Sequence, residues 1–183
     1  MKKVMTIFGT RPEAIKMAPL IKTLEKDSDL EPVVVVTAQH REMLDSVLNT
    51  FNISADYDLN IMKAGQTLSE VTSEAMKKLE DIIQKEVPDM VLVHGDTVTT
   101  FSGALAAFYS QTPIGHVEAG LRSYNKYSPY PEEINRQMVG VMADLHFAPT
   151  YNAAQNLVKE GKLAKNIAIT GNTAIDAMNY TID

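Results

Sequence analysis

The 183-residue chain contains no cysteine, so it can form no disulfide and offers no thiolate to a metal. It has no excess of positive charge: 17 Lys and Arg stand against 23 Asp and Glu, for a net charge of −6. Binding to a phosphate backbone needs a basic footprint, which argues against a nucleic-acid partner. A local basic spot inside a cleft is compatible with that balance. No apolar run approaches the roughly 20 residues of a membrane-spanning helix. The apolar stretch at residues 4–8 is too short for a secretory signal and runs straight into Gly-Thr-Arg-Pro-Glu. These absences predict a cytoplasmic protein with no membrane partner. Internal repeats, low-complexity tracts and flexible linkers are missing too. What is present is ordinary for a globular chain, with 45% hydrophobic and 22% charged residues. A single domain of this length buries roughly 70% of its unfolded surface, enough for a proper core.

Short apolar runs alternate with segments of helical period along the whole length. Residues 4–8 read as a strand. Ala14, Met17, Ala18, Ile21 and Leu24 then recur at the spacing of one helix face. Residues 33–37 open with four valines, as expected of a strand buried on both faces. Met43, Leu44, Val47, Leu48 and Phe51 make the next helix stripe. Leu68, Val71, Ala75, Leu79, Ile82 and Ile83 make a longer one. Further strands are predicted over 90–94, 114–117, 145–148 and 167–170. Phe101, Leu105 and Phe108 mark a helix face, as do Ile134, Met138, Val141 and Met142. Another helix is expected around 153–160, and a last one from about Thr173 to the end of the chain. That last helix either continues into something further or packs as a terminal helix. Residues 124–131, with three tyrosines and two prolines, read as the one irregular loop. The alternation predicts an α/β fold: a doubly wound, Rossmann-like parallel sheet covered on both faces.

In open α/β sheets, ligands bind outside the carboxyl ends of the strands. Each such end here carries a polar motif: Gly9-Thr10-Arg11-Pro12-Glu13, Gln39-His40-Arg41, Gly95-Asp96-Thr97, and Glu118-Ala119-Gly120-Leu121-Arg122. The opposite ends carry only turn chemistry. Thr10 and Glu13 have the spacing of a capping box, and Pro12 suits a first helical turn. Capping does not explain Arg11 or Lys16, because a cation near a helix N-terminus opposes the macrodipole. An anion held there, partly by free N–H groups, would account for Arg11, with Lys16 close by. The loop is neither a Walker motif nor a GxGxxG fingerprint, so it implies neither ATP nor NAD.

Asp96 has two readings, as N-cap of the following helix or as an acid of the site. Glu118, directly after a buried strand, has little structural work to do. Glu132 and Glu133 fit ordinary first-turn acids. Adjacent strands would nevertheless bring Asp96 and Glu118 to one rim, with the Pro-Glu-Glu turn nearby. Like charges at close range are expected to raise at least one pKa, as acid–base chemistry requires. His94 and His116 read as core or supporting residues, His146 as structural, and His40 as a rim residue able to touch ligand. No pair of histidines has metal-binding spacing, so no catalytic metal is expected.

Six motifs stand in order: Phe-Gly-Thr-Arg-Pro-Glu-Ala at 8–14, Gln39-His40, His94-Gly95-Asp96-Thr97, His-Val-Glu-Ala-Gly-Leu-Arg at 116–122, Pro-Glu-Glu-Ile-Asn-Arg at 131–136, and Thr170-Gly171-Asn172-Thr173. Together they resemble the N-terminal half of bacterial non-hydrolysing UDP-N-acetylglucosamine 2-epimerases, over essentially the whole chain. The resemblance implies a catalytic Rossmann-like domain at 1–170, the first of two in a glycosyltransferase-B-type fold. It makes residues 171–183 the start of the connection to a C-terminal domain outside this chain. It implies interconversion of UDP-GlcNAc and UDP-ManNAc by elimination of UDP to a 2-acetamidoglucal and re-addition. No cofactor or metal is implied, and the full-length enzyme would be a homodimer that UDP-GlcNAc can activate.

Residue by residue, Asp96, Glu118 and Glu132 match the catalytic carboxylates. Arg11 matches a diphosphate contact, with Lys16 beside it. Gln39 and His40 match the region of the activating nucleotide-sugar. Thr97, Arg122 and Arg136 complete the substrate-binding set. Gly65 and Glu42 depart from the arginine and glutamine that the activating site can carry, and Tyr130 from a common phenylalanine. The absent domain would supply most of the uridine pocket, so the chain alone is expected to be inactive. The rival expectations are half of a glycosyltransferase of similar fold, a hydrolysing epimerase, and a non-catalytic nucleotide-sugar-binding half.

Overall fold

The computed structural model of the chain describes residues 1–37, 41–63 and 65–180. The elements run β1 (Lys2–Phe8), α1 (Arg11–Lys26), β2 (Leu30–Val36), α2 (Arg41–Thr50), β3 (Tyr57–Asp58), α3 (Leu68–Glu86), β4 (Met90–His94), α4 (Val98–Tyr109), β5 (Ile114–Val117), α5 (Glu132–Met142), β6 (Leu145–Ala148), α6 (Tyr151–Lys159), β7 (Ile167–Ile169) and α7 (Thr173–Met178). Seven strands form one sheet in the order β3-β2-β1-β4-β5-β6-β7. Every neighbouring pair is parallel. The chain winds outward from β1, then crosses back and winds the other way from β4. The fold is therefore doubly wound and Rossmann-like, with its topological switch point between β1 and β4.

Strand residues alternate between two cores, as a period of two requires. Val4, Phe8, Val34, Val36, Leu92 and Val117 face α1 and α2. Met5, Ile7, Val33, Val35, Val91 and Val93 face α3 and α4. The four valines of β2 are all buried, two to each side, which is why that run shows no polar alternation.

Two helices turn a different face inward from the one their large apolar residues suggest. In α4, Phe108 is exposed. The buried residues are Thr99, Thr100, Ser102, Gly103, Ala104, Ala106 and Ala107. Small residues let this helix lie close to the strands: a Cβ at Gly103 would stand 3.2 Å from Val93 Cγ1 and 3.3 Å from Ile7 Cδ1. In α5, Val141 is 75% exposed, while Glu133, Asn135 and Arg136 are buried. Its polar face is turned toward the strand ends.

Met43 and Leu68, at the heads of their stripes, are also exposed. Irregular chain is not confined to 124–131, since residues 59–63 and 65–67 are irregular as well. The last helix does not run to the end of the chain: α7 stops at Met178, with Ala177 packed into the α1–α2 core. Among the described residues no helix is long and apolar enough to cross a membrane.

Gly103→Leu is expected to overpack the α4–sheet contact and lower stability by about 1–3 kcal/mol. A urea midpoint unchanged from the parent would contradict that packing.

Candidate active site

The turn after β1 is made tight by Gly9. A Cβ there would lie 2.1 Å from Thr37 Oγ1 and 2.7 Å from Thr99 Oγ1. Those two hydroxyls bond each other at 2.8 Å, tying the end of β2 to the start of α4. The Thr10–Glu13 capping box is present. Glu13 does more than cap. Its buried carboxylate accepts from Gly9 N–H (2.9 Å), Thr10 N–H (2.7 Å) and the Thr97 hydroxyl (2.7 Å), so it joins α1 to α4. The backbone donors that the sequence offered to an anion are thus largely taken by Glu13, and Pro12 has none. Burial raises the Glu13 carboxyl, against the pull of the Thr97, Gly9 and Thr10 donors.

Arg11 is exposed and lines a cleft with Ile15, Ser46, Thr50 and Phe51, making no ion pair with a described residue. Lys16 takes a different partner: its ammonium is paired with Glu118 Oε2. Gln39 and His40 lie outside the described residues.

The N-cap of α4 is Thr97, so Asp96 is not a cap. Its carboxylate instead receives Arg136, from Nε at 3.1 Å and from Nη2. Arg136 is buried and has further partners. Nη1 donates to the Glu118 carbonyl, and Nη2 lies 3.5 Å from Glu118 Oε1. Asn135 Nδ2 donates to the Asp96 carbonyl at 3.0 Å. Asp96 and Glu118 therefore do meet at one rim, but across a guanidinium rather than as bare neighbours. Glu118 has φ 62, in the left-handed region. That conformation costs a residue with a Cβ about 1–2 kcal/mol, and such strain clusters at functional sites.

The expectation of a raised carboxyl fails at Glu118. Burial works to raise it, but the charges of His94, Lys16 and Arg136 outweigh burial and hold it below its ordinary value. His94 is itself kept neutral down to about pH 4, chiefly by burial. At neutral pH the cations that count are thus Lys16 and Arg136.

The two glutamates of α5 part company. Glu133 is buried and accepts from Ser123 N–H (2.9 Å), Tyr124 N–H (3.0 Å) and Gln137 Nε2 (2.8 Å), anchoring the tyrosine-rich loop. Glu132 is half-buried and has no partner among the described residues. It shares a helix face with Asn135 and Arg136, three and four positions on. The Glu-Glu-Ile-Asn-Arg spacing held that signal in the sequence. Arg122, expected at the substrate, forms a bidentate pair with Glu160 at 2.7 and 2.8 Å and donates to the Leu121 carbonyl. It ties the β5 loop to α6.

A doubly wound sheet with interleaved acids and cations at its switch point defines a Rossmann-like domain carrying a rim of paired charges. The family model described as UDP-N-acetylglucosamine 2-epimerase matches residues 22–183, and the chain belongs to that family. A UDP-N-acetylglucosamine 2-epimerase of Bacillus subtilis is 63% identical over 180 residues, which is 98% of this chain and 47% of the relative. A solved S. aureus MnaA–UDP co-structure superposes with a TM-score of 0.97 at 73% identity, covering 100% of this chain and 48% of that one. A Neisseria meningitidis UDP-GlcNAc 2-epimerase solved with UDP-GlcNAc bound gives a TM-score of 0.95 at 55% identity, covering 98% and 48%. The chain spans about half the length of the curated relatives it matches.

Three buried histidines sit on adjacent strands, His116 pairing in register with His146. Burial lowers His94 and His146 to about 4 and His116 well below its ordinary value. The unfolded chain titrates them near 6.5, so below that pH it binds more protons than the fold does. Unfolding free energy is expected to fall as pH drops from 6.5 to 4, by about 1.4 kcal/mol per pH unit for each histidine. A urea midpoint that stays flat from pH 7 to 4.5 would contradict this.

Proposed function

We propose that this chain is the catalytic wall of a UDP-N-acetylglucosamine 2-epimerase of the non-hydrolysing type. The supporting observation is the rim itself, where Asp96 and Glu118 converge on buried Arg136 with Lys16 paired to Glu118. In this reading a rim carboxylate removes the proton at C2 of UDP-GlcNAc. The C2–H electron pair forms the C1=C2 bond, and the C1–O bond breaks with its electrons on UDP. The product pair is 2-acetamidoglucal and UDP. Re-addition of UDP at C1, with protonation at C2 from the other face, gives UDP-ManNAc. Asp96, Glu118 and Glu132 are the candidate acids and bases, a kind of group that contributes typically 10²- to 10⁴-fold.

Elimination also needs the leaving diphosphate stabilised. Arg11 is free for that role, and Lys16 would reach it by exchanging Glu118 for phosphate. Thr97 and Arg136 act through the groups they hold, and Arg122 through the β5 loop. Gln39 and His40 belong, in this reading, to the region for an activating nucleotide-sugar. Residues 1–170 form the catalytic domain of a two-domain, glycosyltransferase-B-type protein. Residues 171–183 lead to a second domain that carries most of the uridine pocket, and the whole acts as a homodimer. The chain alone is accordingly inactive.

A chimera in which this chain replaces the matching part of the Bacillus subtilis relative provides the test. In heavy water it is expected to place deuterium at C2 of UDP-GlcNAc and to yield UDP-ManNAc. Release of free ManNAc would mark a hydrolysing enzyme, and transfer without C2 exchange a glycosyltransferase. Asp96→Asn, Glu118→Gln and Glu132→Gln in the chimera are each expected to lower turnover by roughly 10²-fold or more. Near-normal rates in two of the three would refute the assignment. The isolated chain should give negligible turnover, and ordinary turnover from it would overturn the division of labour.

A further inference from the structure

His94 ends β4 with its side chain 4% exposed. Neither ring nitrogen has a hydrogen-bond partner among the described residues. Buried polar atoms are normally paired, so an imidazole orphaned at both nitrogens calls for a reason. Nε2 lies 3.8 Å from Glu118 Oε2, beyond hydrogen-bond length. That is the same oxygen that Lys16 holds. Lys16 from α1, Arg136 from α5, Glu118 from the loop after β5 and His116 from the neighbouring strand are the charged and titratable groups that face the ring. The ring is neutral at neutral pH, so it has one N–H to donate and no charge to add.

We propose that His94 is a positioning residue for Glu118: when an anionic ligand draws Lys16 away, Nε2–H of the neutral imidazole donates to Oε2 and holds the carboxylate in place. The proposal rests on the reading of the rim as the site of a diphosphate-bearing substrate. Its logic is electrostatic. An ammonium on Oε2 keeps Glu118 ionised and a poor base. A neutral donor fixes the same geometry with a smaller depression than a full charge exerts, so loss of Lys16 to the ligand makes Glu118 more basic while it stays in position.

The test needs no turnover, so its failure is distinct from failure of the epimerase reading. Isotope-labelled NMR on the chain reads the His94 tautomer and the Glu118 carboxyl. The parent is expected to show the Nε2–H tautomer. Lys16→Met removes the competing cation without a ligand. It should move the His94 Nε2 proton downfield and shift the Glu118 titration midpoint up. In the Lys16→Met background, His94→Leu should shift that midpoint up further. His94→Gln, which can still donate from the same place, should return it toward the Lys16→Met value. Inorganic pyrophosphate, at concentrations that perturb the Lys16 resonance, should move the parent's signals in the same direction as Lys16→Met. An Nδ1–H tautomer, a His94 signal that Lys16→Met or pyrophosphate leaves unmoved, or Gln behaving like Leu would each overturn the proposal.

Discussion

The buried guanidinium of Arg136 is the interaction on which the rim depends. An arginine cannot shed its charge, so a buried one must find anions and acceptors for its donors. Asp96, the Glu118 carboxylate and the Glu118 carbonyl meet that need. Asp96, Glu118 and Arg136 itself come from separate parts of the chain: the turn after β4, the end of β5 and the first turns of α5. One side chain thus fixes the relative placement of three elements that the sheet alone would only bring near each other. It also over-determines the left-handed backbone at Glu118, which nothing local favours. A buried ion pair of this kind need not add net stability, since desolvation offsets much of the attraction. What it gives here is geometry.

The charges in this rim alternate, and that changes how its acids behave. Had Asp96 and Glu118 been bare neighbours, repulsion would have raised one of them. Arg136 lies between them and Lys16 caps the second, so Glu118 is held ionised. If the rim binds the anionic substrate proposed above, that anion competes for the same cations, and binding and basicity become linked through Lys16. Behind the rim, Glu13 fastens the β1 turn to the start of α4 and Glu133 fastens the tyrosine-rich loop. These acids are buried, and each joins backbone segments that lie next to the rim.

Much of this architecture is legible in the sequence. The alternation of apolar runs and helix stripes was enough for a doubly wound sheet, because strands buried on both faces leave continuous hydrophobic runs. The strand-end motifs pointed to the rim, because parallel sheets gather their carboxyl ends on one side. Bulk is a poor guide to burial in α4 and α5, where Phe108 and Val141 are exposed. The inward face of α4 is built from Ala, Gly, Ser and Thr because the helix must lie close to the strands. That of α5 is polar because it faces the site. Hydrophobic periodicity sees neither. Partner choice was also out of reach. Arg11, Lys16, Arg122 and Arg136 look alike as cations in a sequence. Only tertiary contact separates the exposed one from those committed to Glu118, to Glu160 and to Asp96.

If Arg136 organises the rim as described, its energetic link to Asp96 should be measurable in this chain directly. The decisive measurement is a double-mutant cycle in unfolding free energy with Asp96→Ala and Arg136→Met. Asp96→Ala should leave buried Arg136 short of one of its two anions, Arg136→Met should leave half-buried Asp96 without its cation, and the double change should remove both charges. Strong non-additivity is expected, with the double variant less destabilised than the sum of the singles by about 1–3 kcal/mol. Additivity within about 0.5 kcal/mol would mean that the two side chains do not depend on each other, and the rim would have to be explained without Arg136 at its centre.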